Sequence, residues 1–241
     1  MSTFPGFTPR PEFRVPVPTG LATATCVLLG LAMVADVFAI VTGAQYYSLW
    51  SRVGEEGLHT VGLEEAEGVE RLYSLAGVIQ TVTFLMCAIV FILWFRQMRE
   101  NAELFAPDAH RKARHWVVWG WILPVVSLWF PRRIALDIGT ASELRPGLPD
   151  APRTPVTLVN AWWTVWICDT TLSNLAAQLA RRVEEAGPIK AVVGLTMAAD
   201  LLDIAAGVLA ILVVRRLTRM QLRRATWAGH DSPAEASEQP V

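Results

Sequence analysis

Four apolar runs, each long enough to cross a lipid bilayer as one helix, constrain this chain more than any other feature. They occupy residues 21–43, 73–95, 156–178 and 189–214, and their interiors are free of Lys and Arg, with Lys190 at the very start of the last. A hydrocarbon core of about 30 Å needs about 20 helical residues to span it. The chain therefore reads as an all-α integral membrane helical bundle. Composition agrees: 53% of the 241 residues are hydrophobic and only 18% charged, where soluble domains carry roughly a quarter. A net charge of −1 excludes a bulk polycation, and no folded basic domain stands outside the apolar runs, so no nucleic-acid partner is expected.

A fifth run, residues 116–130, is shorter and contains Gly120 and Pro124. Fifteen residues make a helix of only about 22 Å. Basic residues prefer the cytoplasmic side, and they separate two topologies. If the short run returns to the side it came from, Arg10 and Arg14, five basic residues from 96 to 114, four from 132 to 153 and five from 215 to 224 share one side. That is sixteen of the 21. If it crosses, the split falls to 10 against 11 and the bias disappears. The reading is four crossings plus a short Trp/Pro-rich re-entrant or interfacial segment, with five crossings as the alternative. Both termini then lie in the cytoplasm.

The organisation follows. Residues 1–18 carry five prolines and are expected to be disordered, with no cleavable signal peptide. Residues 19–228 form the membrane-embedded domain, and 229–241 a disordered tail. Residues 51–72 hold six glutamates and read as an outer acidic loop. Trp50, Tyr46 and Tyr47 suit the outer interfacial belt and Trp94 the inner one. Residues 132–144 are loosely periodic and read as a short interfacial helix. Pro146, Pro149, Pro152 and Pro155 recur every third residue, as in an extended strap. Gly30, Gly77, Gly194 and Gly207, flanked by compact side chains, suit close helix approach.

Around the short run the residues form a pattern: Trp94, Arg96, Arg99 and Asn101, then Trp116, Gly120, Trp121, Pro124, Trp129 and Pro131, then Asp137. In these spacings the stretch from 94 to 142 resembles a bacterial membrane family known as domain of unknown function 4328. The family usually has Asn and an aromatic residue where this chain has Ser127 and Gly139. The resemblance takes in about residues 45–220 and implies a multi-pass membrane protein; it implies no activity. The residues alone suggest a kinked element, since Pro124 frees a carbonyl one turn back, and non-helical backbone at membrane depth survives only where protein or water satisfies it.

Four aspartates lie inside the crossings: Asp36, Asp169, Asp200 and Asp203. A charged Asp at mid-helix costs about 2.5–3.5 kcal/mol on insertion scales, so such residues face the bundle interior. At about 1.5 Å per residue, Asp36, Asp169 and Asp200 reach similar depth, with Asp203 one turn from Asp200 on the same face. They form a candidate proton or cation site, with Gln80, Thr81, Thr83, Thr170, Thr171, Ser173, Asn174 and Thr196 as candidate partners. The opposing reading makes them interhelical hydrogen-bonding groups.

Other chemistry finds little support. The odd set Cys26, Cys87 and Cys168 shows no paired spacing, and His59, His110, His115 and His230 have no metal-ligand spacing, so no metal or cofactor is expected. Nucleophile-elbow, zinc-protease, phosphate-loop and dinucleotide signatures are all missing, so no enzyme is expected. The basic cluster from Arg96 to His115 and that from Arg215 to Arg224 suit anionic lipid headgroups. The preferred expectation is a structural, scaffold or accessory membrane component with an unidentified membrane protein partner. The alternative is a small proton-coupled or cation transporter or channel built on the aspartates.

Overall fold

The computed structural model describes residues 15–107, 113, 115–123, 125–144, 153–182 and 186–230, and every regular element within them is helical. The helices are α1 (Thr19–Glu56), α2 (Leu63–Phe105), α3 (Trp116–Ile122), α4 (Phe130–Ala141), α5 (Val156–Ala180) and α6 (Ala186–His230), with 3₁₀ turns at Leu58–Thr60 and Val126–Leu128. Three segments are long and apolar enough to cross a membrane: Thr19–Glu56, Leu63–Phe105 and Pro188–Trp227. The 25 residues of α5 span about 38 Å, enough in length, but Asn160, Asp169, Ser173 and Asn174 dilute its apolar character.

These helices overrun the runs that announced them. α1, α2 and α6 contain 38, 43 and 45 residues, or about 57, 65 and 68 Å against a core of about 30 Å. The acidic stretch expected as a loop is mostly helix. Glu55 and Glu56 end α1, while Glu64 and Glu65 occupy the first turn of α2, where carboxylates complement the exposed amide dipoles. Arg52 bridges the two helices to Glu65. The chain reverses at Gly57, whose φ of +92° is a left-handed value and whose N–H caps α1 on the Val53 carbonyl. At the opposite end α6 runs through all five arginines from 215 to 224 to His230. Residues 1–14 and 231–241, Pro124, His110 and the prolines at 146, 149 and 152 fall outside the described residues.

α1 packs between α2 and α6, and α6 packs in turn on α5. The row thus runs α2, α1, α6, α5; among the described residues α2 and α5 do not pack along their length, though the Phe91 and Trp162 rings stand 6.0 Å apart. Outward faces are apolar, with Val27, Val34 and Val41 on α1, Val78, Val82 and Ile89 on α2, and Leu201, Val208 and Leu212 on α6 exposed. Lipid suits such a surface where water does not. Of the four glycines expected to permit close approach, only Gly207 does so: a Cβ there would come 3.0 Å from Met33, whereas Gly30, Gly77 and Gly194 face open space. Gly43 and Gly139 are the crowded positions that small-residue spacing did not reveal.

The gap between α2 and α5 is bridged at one end by α3 and α4. Seven residues of α3 rise only about 10 Å, after which the chain turns through Val126–Leu128 and returns as α4. Pro131 fits the first turn of α4, where its missing N–H is no loss. α4 is more strictly amphipathic than expected, burying Pro131, Ile134, Ala135, Ile138, Gly139 and Ala141. The turn exposes Trp119, Ile122, Val125, Leu128 and Trp129. Two polar contacts dock it on α5: Trp163 Nε1 donates to the Leu128 carbonyl at 2.9 Å, and Arg132 Nε to Asn160 Oδ1 at 2.9 Å.

Candidate functional site

Packing of α1 antiparallel to both α2 and α6 brings Asp36, Gln80 and Asp200 to one level inside the bundle. The Gln80 side-chain nitrogen donates to Asp36 Oδ1 and to Asp200 Oδ1, each at 2.9 Å. Both amide protons are thereby used, and three helices are tied at one point. Asp36 is only 4% exposed, and its Oδ2 is buried with no hydrogen-bond partner among the described residues. A buried carboxyl oxygen lacking a donor is costly, so this atom is the least satisfied part of the site.

Asp169 enters from α5 and Asp203 from one turn further along α6, both half-buried. Asp169 accepts from Ser173 Oγ at 3.2 Å on its own helix. Asp169, Asp200 and Asp203 all act electrostatically on Asp36, and Asp200 and Asp203 on Asp169. The four aspartates thus share one region, but among the described residues only Asp36 and Asp200 share a hydrogen-bonding partner. Most other polar side chains around them turn inward to their own helix: Thr81 bonds the Gly77 carbonyl, Thr83 that of Ile79, Thr171 that of Ile167, Asn174 that of Thr170 and Thr196 that of Val192. The ion pairs Arg52–Glu65, Arg96–Glu100 and Arg99–Glu103 all lie away from this level. Among the described residues no group of three or more His, Cys, Asp or Glu side chains is placed to hold a metal ion.

Aromatic layers flank the carboxylates. Towards the α1–α2 turn, Tyr46 stacks on Tyr73 with ring centroids 4.7 Å apart and contacts Trp50 edge-on at 6.2 Å. On the other side Trp121 of α3 sits among Phe91 and Phe95 of α2 and Trp162, Trp163 and Trp166 of α5, at centroid distances of 5.5 to 6.3 Å. Edge-to-face pairs dominate, as the ring quadrupoles favour. This cluster closes the space between α2 and α5 that helix packing leaves open. Trp94, expected in the interfacial belt, is instead fully buried and donates to Thr218 Oγ1 at 3.2 Å.

A second polar level follows. Asn101 Nδ2 donates to the Pro16 carbonyl at 2.9 Å and to Gln221 Oε1 at 3.3 Å, while Gln221 Nε2 donates to the Met98 carbonyl at 2.7 Å. Arg99 is buried beside Glu103 at 3.3 Å. Arg96 is exposed and pairs with Glu100 at 2.9 Å. Trp116 packs edge-on against Phe130, Gly120 lets the Phe130 Cβ come within 3.3 Å of where its own Cβ would stand, Pro131 is buried, Trp129 is exposed and Asp137 is half-buried. Sequence spacing gave no role to Thr218 or Gln221. Their signal was a polar residue recurring one turn apart within the basic end of a helix.

The pattern of the family described as domain of unknown function (DUF4328) matches residues 59–219, two thirds of the chain. The chain belongs to this family. Its segment begins at the α1–α2 turn, later than residue 45, and takes in Gln80, Asp169, Asp200 and Asp203 while leaving Asp36 and all of α1 outside. The hairpin α3–α4 and its tryptophans fall wholly within it. No curated protein and no solved structure matches this chain.

Proposed function

We propose that this chain is a non-enzymatic, four-crossing protein of a bacterial inner membrane, with both termini cytoplasmic and α3–α4 re-entrant, and that its carboxylate level carries protons. One observation carries the reading: Asp36 and Asp200 share the Gln80 amide inside the bundle, while Asp36 Oδ2 has no donor among the described residues. Intramembrane acids that face a bundle interior are the groups from which proton relays are built. A proton needs a single free carboxyl oxygen, whereas a metal ion needs several ligands closing round it. Asp203 and Asp169 supply further acceptor groups in the same region.

The test is proton flux into proteoliposomes loaded with a pH-sensitive dye under an imposed potential. Asp36→Asn and Asp200→Asn, each retaining an acceptor for Gln80, are expected to abolish flux while folding is kept. Wild-type vesicles no leakier than empty ones would overturn the reading.

A structural or accessory role is the second reading, and a specific observation favours it. Gln80 spends both of its amide protons on carboxylates, as expected of a staple joining helices. In that case the same vesicles show no flux, and a membrane protein partner co-purifies with the wild type.

A further inference from the structure

We propose that the groove between the paired ends of α1 and α6 binds one anionic phospholipid from the adjoining leaflet. The groove encloses about 500 Å³, within the range of small-ligand sites. Its walls change character along the helix axes. Val27 and Ile211 line the apolar part, and Arg215 and Arg219 line the other, with Thr23 and Thr218 beside them. Arg215 directly follows the apolar run of α6, which puts the change at the boundary between acyl chains and headgroups.

Among the described residues no carboxylate pairs with the arginines of this groove. Arg215 and Arg219 are one turn apart, so they share a face, and both are exposed. Neither wall offers a carboxylate nearby: residues 19–35 of α1 and 204–230 of α6 contain no Asp or Glu. Thr218 is buried, and its oxygen accepts from Trp94, which leaves the hydroxyl proton to give. Two guanidinium groups and a hydroxyl at headgroup depth, above an apolar channel, suit a phosphate diester carrying acyl chains. A second basic groove, of about 410 Å³ and lined by Arg96, Arg99 and His115, differs in this respect, because Glu100 and Glu103 already pair with its arginines. The inference does not depend on proton transfer.

Native mass spectrometry of delipidated protein, titrated with phosphatidylglycerol, phosphatidylcholine or inorganic phosphate, tests it. One phosphatidylglycerol is expected to remain bound in preference to phosphatidylcholine, with inorganic phosphate failing to displace it. Arg215→Gln with Arg219→Gln should weaken retention by about thirtyfold, while Arg181→Gln with Arg182→Gln, which removes the same charge from an exposed site outside both basic clusters, should leave it unchanged. Thr23→Trp fills the groove at constant charge and should also expel the lipid, which decides the matter if the double variant fails to fold. Retention by either groove variant, equal loss in the control pair, no preference over phosphatidylcholine, or displacement by inorganic phosphate would each overturn the proposal.

Discussion

Trp163 on α5 gives its indole N–H to the backbone carbonyl of Leu128, 2.9 Å away, at the turn between α3 and α4. A turn leaves carbonyls without intrahelical partners, and a side-chain donor can satisfy one of them. Trp163→Phe keeps the ring stacking on Trp166 and removes the donor. It is expected to destabilise the fold by about 1–3 kcal/mol, read from denaturant or thermal unfolding in detergent. An unchanged midpoint would show that the carbonyl finds another donor.

Gln80 and its two aspartates separate support from chemistry. Gln80→Leu removes the hydrogen-bond donor that Asp36 and Asp200 share and should cost about 1–3 kcal/mol. Asp36→Asn keeps an oxygen for that amide and should shift stability by less than about 1 kcal/mol. Thermal unfolding of the two variants side by side checks the ordering, and a larger loss for Asp36→Asn would reverse this account.

Glycine substitutions offer a contrast. At Gly139 a Cβ would stand 2.7 Å from Thr154 Cγ2, whose hydroxyl and amide are held by Glu143, while at Gly77 it would meet nothing within 4 Å. Gly139→Ala should therefore lose about 1–3 kcal/mol through overpacking. Gly77→Ala should be neutral or gain up to about 1 kcal/mol from helix propensity. The measurement is again the unfolding midpoint.

Topology is checked by labelling single cysteines in a background lacking Cys26, Cys87 and Cys168. Glu55→Cys and Lys190→Cys are expected to react with an impermeant maleimide from one side of the membrane, Thr140→Cys and Arg223→Cys from the other. Labelling of Thr140→Cys together with Lys190→Cys would mean that α5 does not cross.

What the residues revealed in advance followed from bulk rules. Length and apolarity located the helical bundle, and one rise per residue was enough to put Asp36 and Asp200 at matching depth, because antiparallel helices keep register over such distances. Helix ends were less legible. Hydropathy stops at the first charge, whereas α1 continues through Arg52 to Glu56 and α6 through its arginines, since charged side chains form helices readily outside the apolar zone. Side-chain partners were hidden for a similar reason: Thr81, Thr171 and Thr196 looked able to reach an aspartate, yet a threonine hydroxyl has a carbonyl of its own helix closer to hand. Trp94 was misplaced because an indole suits both an interface and a core, and only the neighbouring Thr218 decides between them.

The 45 residues of α6 link the carboxylates to the basic end without interruption. No proline follows Pro188 within it, and a helix lacking such a break bends only gently. Asp200 and Gln221 therefore ride on one stiff rod. Any tilt that parts Asp200 from Gln80 must be felt at the Asn101–Gln221 contact some six turns away, as with the far arm of a crowbar.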